Sequence, residues 1–94
     1  MKQTMQLYHQ AMALQPSAAF WCEQLGISRN ALAVAKIRGR LSPTVAGNLA
    51  RLLGEDERTW LAIAAIEGEP ETYGRRKLEQ LASSWTQSPV ALIK

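Results

Sequence analysis

Five side chains that can donate hydrogen bonds to anions or to nucleobase edges lie within twelve consecutive residues of this 94-residue chain. They are Arg29, Asn30, Lys36, Arg38 and Arg40, and no Asp or Glu lies among them. Arg and Lys can donate to guanine, and Asn can pair bidentately with adenine. The segment can therefore bind a polyanion if a rigid element turns these side chains outward.

Residues for covalent or metal chemistry are scarce. His9 is the only histidine and Cys22 the only cysteine, so neither a catalytic triad nor a metal site can be assembled from them. The acids Glu55, Asp56 and Glu57 are better explained as a helix start, where negative charge is favourable. The sequence predicts no enzyme, no catalytic residue, no metal, no cofactor and no small-molecule ligand.

The net charge of +3 is unevenly distributed. The first 54 residues hold six Lys and Arg and a single acid, Glu23. The remaining residues hold five Lys and Arg and seven Asp and Glu. A concentrated positive field suits a polyanionic partner, of which nucleic acid is the commonest.

Composition indicates one small folded domain without a membrane segment. The chain is 47% apolar and 20% charged, and β-branched residues are sparse, which favours helices. No apolar run approaches the ~20 residues that cross a bilayer, and the start has no signal-peptide pattern. A single cysteine agrees with a reducing compartment. We therefore expect a cytoplasmic protein with no membrane partner.

Glycine and proline divide the chain into short amphipathic segments. The spacing predicts helices over residues 2–14, over about 17–25 ending at Gly26, and over 29–38 ending near Gly39. Ser28 is predicted to be the N-cap of the third helix. A fourth helix is predicted to begin at Ser42 and Pro43, and a fifth at Asp56 or Glu55.

The pattern loosens after the fifth helix, which is predicted to end at Gly68. Tyr73, Leu78, Leu81 and Trp85 allow one more helix, preceded by a basic run over residues 75–77. We expect residues 1–69 to form one all-α domain, and residues 70–94 to form a C-terminal helix and a mobile tail. This C-terminal helix could dimerise, contact a DNA backbone or remain free, and dimerisation is slightly favoured.

The second and third helices have the spacing of a helix-turn-helix over about residues 17–39. Leu25 precedes the turn glycine Gly26, and Ile27 follows it as an apolar plug. Cys22 is small enough for the point where the two helices cross, and Leu32 can anchor the second of them.

A helical wheel divides the third helix into two faces at about 100° per residue. Small or apolar residues gather on the inner face, namely Ala31, Leu32, Ala35 and Gly39. The outer face would fit the major groove, about 12 Å wide, where alanine or isoleucine can touch thymine methyls. Its members are Arg29, Asn30, Ala33, Lys36, Ile37 and Arg40. Phe20, Trp21 and Trp60 are expected in the core rather than on a base-stacking surface.

Four stretches carry a resemblance to a known family. They are "LGIS" at the turn, "RGRLSP" after the third helix, "AGNLARLLGED" in the fourth helix and "WLAIAAIEGE" in the fifth. Over residues 17–69 the chain resembles the lambda repressor-like (Cro/repressor type) helix-turn-helix family, and within it the small phage and prophage regulators.

That resemblance implies a five-helix domain whose third helix reads double-stranded DNA, usually as a homodimer on a palindromic operator. The expected function is a sequence-specific transcriptional regulator, a phage or prophage repressor. Phe20 and Trp21 stand where many members have a glutamine that clamps phosphate, although Ser17 remains available at the start of that helix. The predicted DNA-binding residues are Ser17, Ser28, Arg29, Asn30, Ala33, Lys36, Ile37, Arg38 and Arg40.

A second hypothesis comes from another class of protein. The chain could be a helical protein-interaction module, such as an antitoxin or antirepressor, whose basic face meets an acidic partner. The two hypotheses differ in salt behaviour, because phosphate contacts make binding to any duplex fall steeply with salt.

Overall fold

A computed structural model describes the backbone of residues 1–87 and the side chains of residues 1–84. All regular structure in that range is helical, which confirms the all-α prediction there. The helices are α1 (Met5–Leu14), α2 (Ala18–Leu25), α3 (Ala31–Arg38), α4 (Pro43–Leu52), α5 (Glu57–Glu67) and α6 (Tyr73–Gln87). The predicted tail over residues 88–94 and the side chain of Trp85 lie outside the described part.

Helices α1 and α2 are joined through a tryptophan. The indole N–H of Trp21 donates to the carbonyl oxygens of Gln15 at 2.9 Å and of Ala11 at 3.2 Å. The Gln15 carbonyl lies just past the end of α1, where carbonyls lack partners within the helix, and the Ala11 carbonyl also accepts from the Gln15 amide at 2.9 Å. Trp21 therefore satisfies that helix end while its ring is buried, as predicted.

Helix α2 begins at a serine cap and ends at the predicted turn glycine. The Ser17 hydroxyl accepts from the amide of Phe20 at 3.2 Å and so caps the start of α2. Gly26 ends the helix with φ +68°, a left-handed conformation that costs glycine little. Ile27 packs half-buried against the core directly after it.

Helix α3 begins two residues later than predicted. Arg29 and Asn30 form a turn, and Ala31 is the first helical residue. The predicted N-cap at Ser28 was wrong: Asn30 occupies that position with helical dihedrals and no side-chain cap. Ser28 contributes its backbone carbonyl instead, which accepts from the amide of Ala31 at 3.1 Å.

Helices α4 and α5 start at the predicted caps and pack against each other in the core. Ser42 accepts from the Val45 amide, and Asp56 accepts from the Arg58 amide. The core brings together buried side chains from α1, α3, α4, α5 and the segment before α4: Leu7, Leu32, Leu41, Leu49, Trp60 and Ile63.

Helix α6 packs against α5 and buries Ala82. Its Arg75 is held by Glu79 at 2.7 Å, by Glu71 at 3.6 Å and by the carbonyl oxygen of Glu69 at 2.8 Å. The hydrogen bond to Glu79 raises the pKa of Arg75 above its ordinary value. Among residues 1–87, no helix is both long and apolar enough to cross a membrane.

Candidate nucleic-acid interface

Helix α3 buries two side chains in the core and exposes most of its other side chains to solvent. Leu32 and Ala35 are buried, while Ala31 is half-buried beside them. Five of the six residues that the helical wheel places on the outer face are exposed: Arg29, Asn30, Ala33, Lys36 and Ile37. Gly39, expected on the inner face, is exposed; it lies just past the last helical residue and has φ +81°.

Asn30 has an unengaged side chain at the start of this surface. Its amide makes no hydrogen bond to the helix that it precedes. Both hydrogen-bonding groups of the amide can therefore pair with an external partner, which is the chemistry that reads adenine.

The two arginines at the end of α3 differ in their surroundings. Arg38 is exposed in the last turn of α3. Arg40 is half-buried, and a Cβ added at Gly68 would lie 2.9 Å from its Nη1 atom. Arg40 was predicted on the open face but instead lies along the end of α5, where a cation complements the helix dipole.

Two predicted site residues from different segments meet at one groove. Ser17 and Arg29 both line an open groove of about 510 Å³ between α2 and the turn before α3. The Cys22 thiol lies at this crossing and donates to the Arg29 carbonyl oxygen at 3.6 Å. This contact ties α2 to the turn and fixes the backbone from which Arg29 projects. Ser28 is exposed in the same turn.

The charge of the α3 segment is not neutralised within the described part of the protein. Both ion pairs found there involve Arg75 of α6. No carboxylate of residues 1–84 lies within 4.0 Å of the cations Arg29, Lys36, Arg38 and Arg40. The surface therefore presents donors and positive charge together, the combination that polyanions require.

Sequence reasoning missed three residues on this surface. Val34 on α3 is 49% exposed, and Phe20 on α2, predicted in the core, is 38% exposed. Glu23 lines the same groove as Arg29 and adds an acid there. The three-residue spacing of Val34 and Ile37 was the available signal for an exposed aliphatic pair.

Other kinds of site have little support in the described residues. No group of three or more His, Cys, Asp or Glu side chains in that range could hold a metal ion. The free thiol of Cys22 is buried in the helix crossing.

Comparison with protein families, with curated proteins and with solved structures found no match for this chain.

Proposed function

We propose that this protein is a sequence-specific double-stranded DNA-binding transcriptional regulator, a repressor of the phage or prophage type, that reads the major groove with α3. The observation that carries the proposal is the exposed face of α3. Together with the turn before α3, this face combines three cations that have no carboxylate partner among the described residues, a free amide, and small or aliphatic side chains on a helix narrow enough for the groove.

The exposed residues divide into two roles. Arg29, Asn30, Ala33, Lys36 and Ile37 approach base edges, where Arg and Lys donate to guanine and Asn pairs with adenine. Ser17, Ser28 and Arg38 lie at the flanks of α3 and contact phosphates, which fix the register without reading sequence. Arg40 reaches a phosphate only if its side chain swings away from Gly68.

Two copies of the protein bind as a homodimer to a palindromic operator in this proposal. The support is the resemblance over residues 17–69, since helix-turn-helix proteins of this kind read two half-sites with two equivalent helices.

A salt titration tests the proposal directly. Fluorescence anisotropy would measure the affinity of the wild-type protein for a random duplex at 50 and 200 mM salt. On a random duplex the cations Arg29, Lys36 and Arg38 would each neutralise one phosphate, which predicts an affinity loss of about 40-fold between these concentrations. No binding to duplex at the lower concentration would contradict the proposal.

The exposed aliphatic pair on α3 favours a second candidate function. Val34 and Ile37 are 49% and 86% exposed and lie beside Lys36, so an acidic protein with an apolar patch could also cover this face. The alternative is the protein-interaction module, and it predicts no affinity for duplex DNA at either salt concentration.

A further inference from the structure

One buried threonine joins three distant parts of the fold. Thr4 is fully buried, and no other polar or charged side chain among residues 1–84 is buried. Its hydroxyl donates to Glu67 Oε1 at 2.5 Å and accepts from the amide of Leu41 at 2.9 Å. Its own backbone amide donates to Glu67 Oε2 at 2.9 Å. The start of α1, the end of α5 and the segment after α3 therefore meet at Thr4.

The segment held by this junction is the basic end of α3. Leu41 is fully buried and follows Arg38, Gly39 and Arg40 directly along the chain. Arg40 lies against Gly68, the neighbour of Glu67. Thr4 and Glu67 thus fix the point at which the chain leaves α3.

Helix α3 has few other restraints on its orientation. It spans eight residues, and Leu32 and Ala35 are its buried side chains. Its start is tied to α2 by the Cys22 thiol. An exposed helix with so small a buried face depends on its two ends for its angle to the rest of the protein.

We propose that Thr4 and Glu67 are positioning residues for the DNA contacts of α3, although neither lies on the α3 surface. This inference rests on the proposed function. Without the hydroxyl, the Leu41 amide loses its acceptor and Glu67 Oε1 loses its donor, while Glu67 Oε2 keeps the Thr4 amide. A buried polar group left unpaired shifts toward water. The end of α3 then moves, and Arg38 and Lys36 lose their register on the operator.

The decisive comparison uses three threonine variants of the full chain. Thr4→Val keeps the shape of the side chain but removes the hydroxyl, whereas Thr4→Ser keeps the hydroxyl. Thr59→Val is the matched control, because it removes a hydroxyl that donates to Asp56 at 2.6 Å at the start of α5. Affinities are measured for a duplex selected from a random pool and for a random duplex, and unfolding is followed for each variant.

For Thr4→Val we expect at least a tenfold loss of affinity for the selected duplex and less than a twofold change for random duplex. Thr4→Ser should restore affinity to within about threefold of wild type. Thr59→Val should lower the unfolding temperature and leave the ratio of the two affinities unchanged. A folded Thr4→Val protein with the wild-type ratio would overturn the proposal.

A second measurement needs no DNA, and it tests the proposal even if the Thr4→Val protein fails to fold. Glu67→Gln removes one of the two carboxylate acceptors, and amide hydrogen exchange then reports on the end of α3. We expect exchange at Leu41 and Arg40 to rise at least tenfold while exchange at Leu32 stays unchanged. Unchanged exchange at Leu41 would overturn the positioning role. Absence of duplex binding by the wild-type protein would instead overturn the proposed function.

Discussion

Arg29 is the residue that links the helix-turn-helix corner to the proposed base contacts. Its side chain is exposed and lines the groove with Ser17, and its carbonyl is held by the Cys22 thiol. A guanidinium with a fixed backbone and no carboxylate partner within the described residues can donate bidentately to a guanine.

Replacing Arg29 with alanine should therefore remove one specific base contact. We expect Arg29→Ala to weaken binding to the selected duplex by about 1–3 kcal/mol and to abolish the preference at one base pair. Titrations with duplexes changed at single positions would measure both effects. Arg58→Ala is the control, since Arg58 is an exposed arginine on α5. Equal losses for the two variants would contradict a base contact by Arg29.

Ile37 tests the contact with thymine methyl groups. The side chain is 86% exposed, so Ile37→Ala should change the free energy of unfolding by less than about 0.5 kcal/mol. Replacing the contacted thymine by deoxyuridine removes one methyl, worth about 0.8 kcal/mol when buried. The wild-type protein should show that loss at one position of each half-site, and Ile37→Ala should show none. A wild-type protein indifferent to every such replacement would contradict the contact.

The residue types of the outer face could be predicted from the sequence, but two side-chain positions could not. Arg40 lies against Gly68, which is 28 positions away in the sequence. A helical wheel shows only neighbours within one helix and so cannot predict this contact. Phe20 is 38% exposed, whereas its neighbour Trp21 is buried and donates to the end of α1. Both outcomes depend on tertiary neighbours rather than on local spacing.

At the scale of elements, the glycine that ends α3 sets where the basic segment turns. Gly39 has φ +81°, and an added Cβ would meet nothing within 4 Å. Its substitution therefore costs backbone strain without a steric clash. Gly74 in the first turn of α6 is the useful contrast, because it lacks a positive φ and an added Cβ has only an ordinary contact at 3.8 Å.

Replacing these two glycines with alanine should change the free energy of unfolding in opposite directions. We expect Gly39→Ala to lower the free energy of unfolding by about 1–2 kcal/mol, the cost of a left-handed residue with a side chain. Gly74→Ala should raise it by about 0.5–1 kcal/mol through helix propensity. Urea unfolding followed by circular dichroism measures both. Destabilisation of equal size at both positions would contradict the role of the positive φ.

Element starts were predictable where a side chain caps the helix, as at Ser17, Ser42 and Asp56. The start of α3 was not, since Ser28 and Asn30 offer competing polar side chains and neither caps the helix. The junction of Thr4, Glu67 and Leu41 was also beyond sequence reasoning. Its members are separated by up to 63 positions and show no periodic pattern.

At the scale of the whole molecule, the dimensions of the protein limit how two copies can share one duplex. Its principal extents are 35 × 29 × 19 Å. One turn of B-DNA advances about 34 Å, the distance between the half-sites of many helix-turn-helix dimers. Two copies placed side by side on one face of the duplex would therefore fit one turn apart with little overlap.

Selection from a random duplex pool should consequently yield a palindrome whose half-site centres lie about 10 base pairs apart. Titration of that duplex should reach two protein chains per site, and a duplex with one half-site should bind more weakly. Inserting about five base pairs between the half-sites would place the second copy on the opposite face, so cooperative binding should be lost while half-site affinity remains. A selected site without symmetry that saturates at one chain per duplex would contradict the homodimer, and the single exposed face of α3 would then act alone.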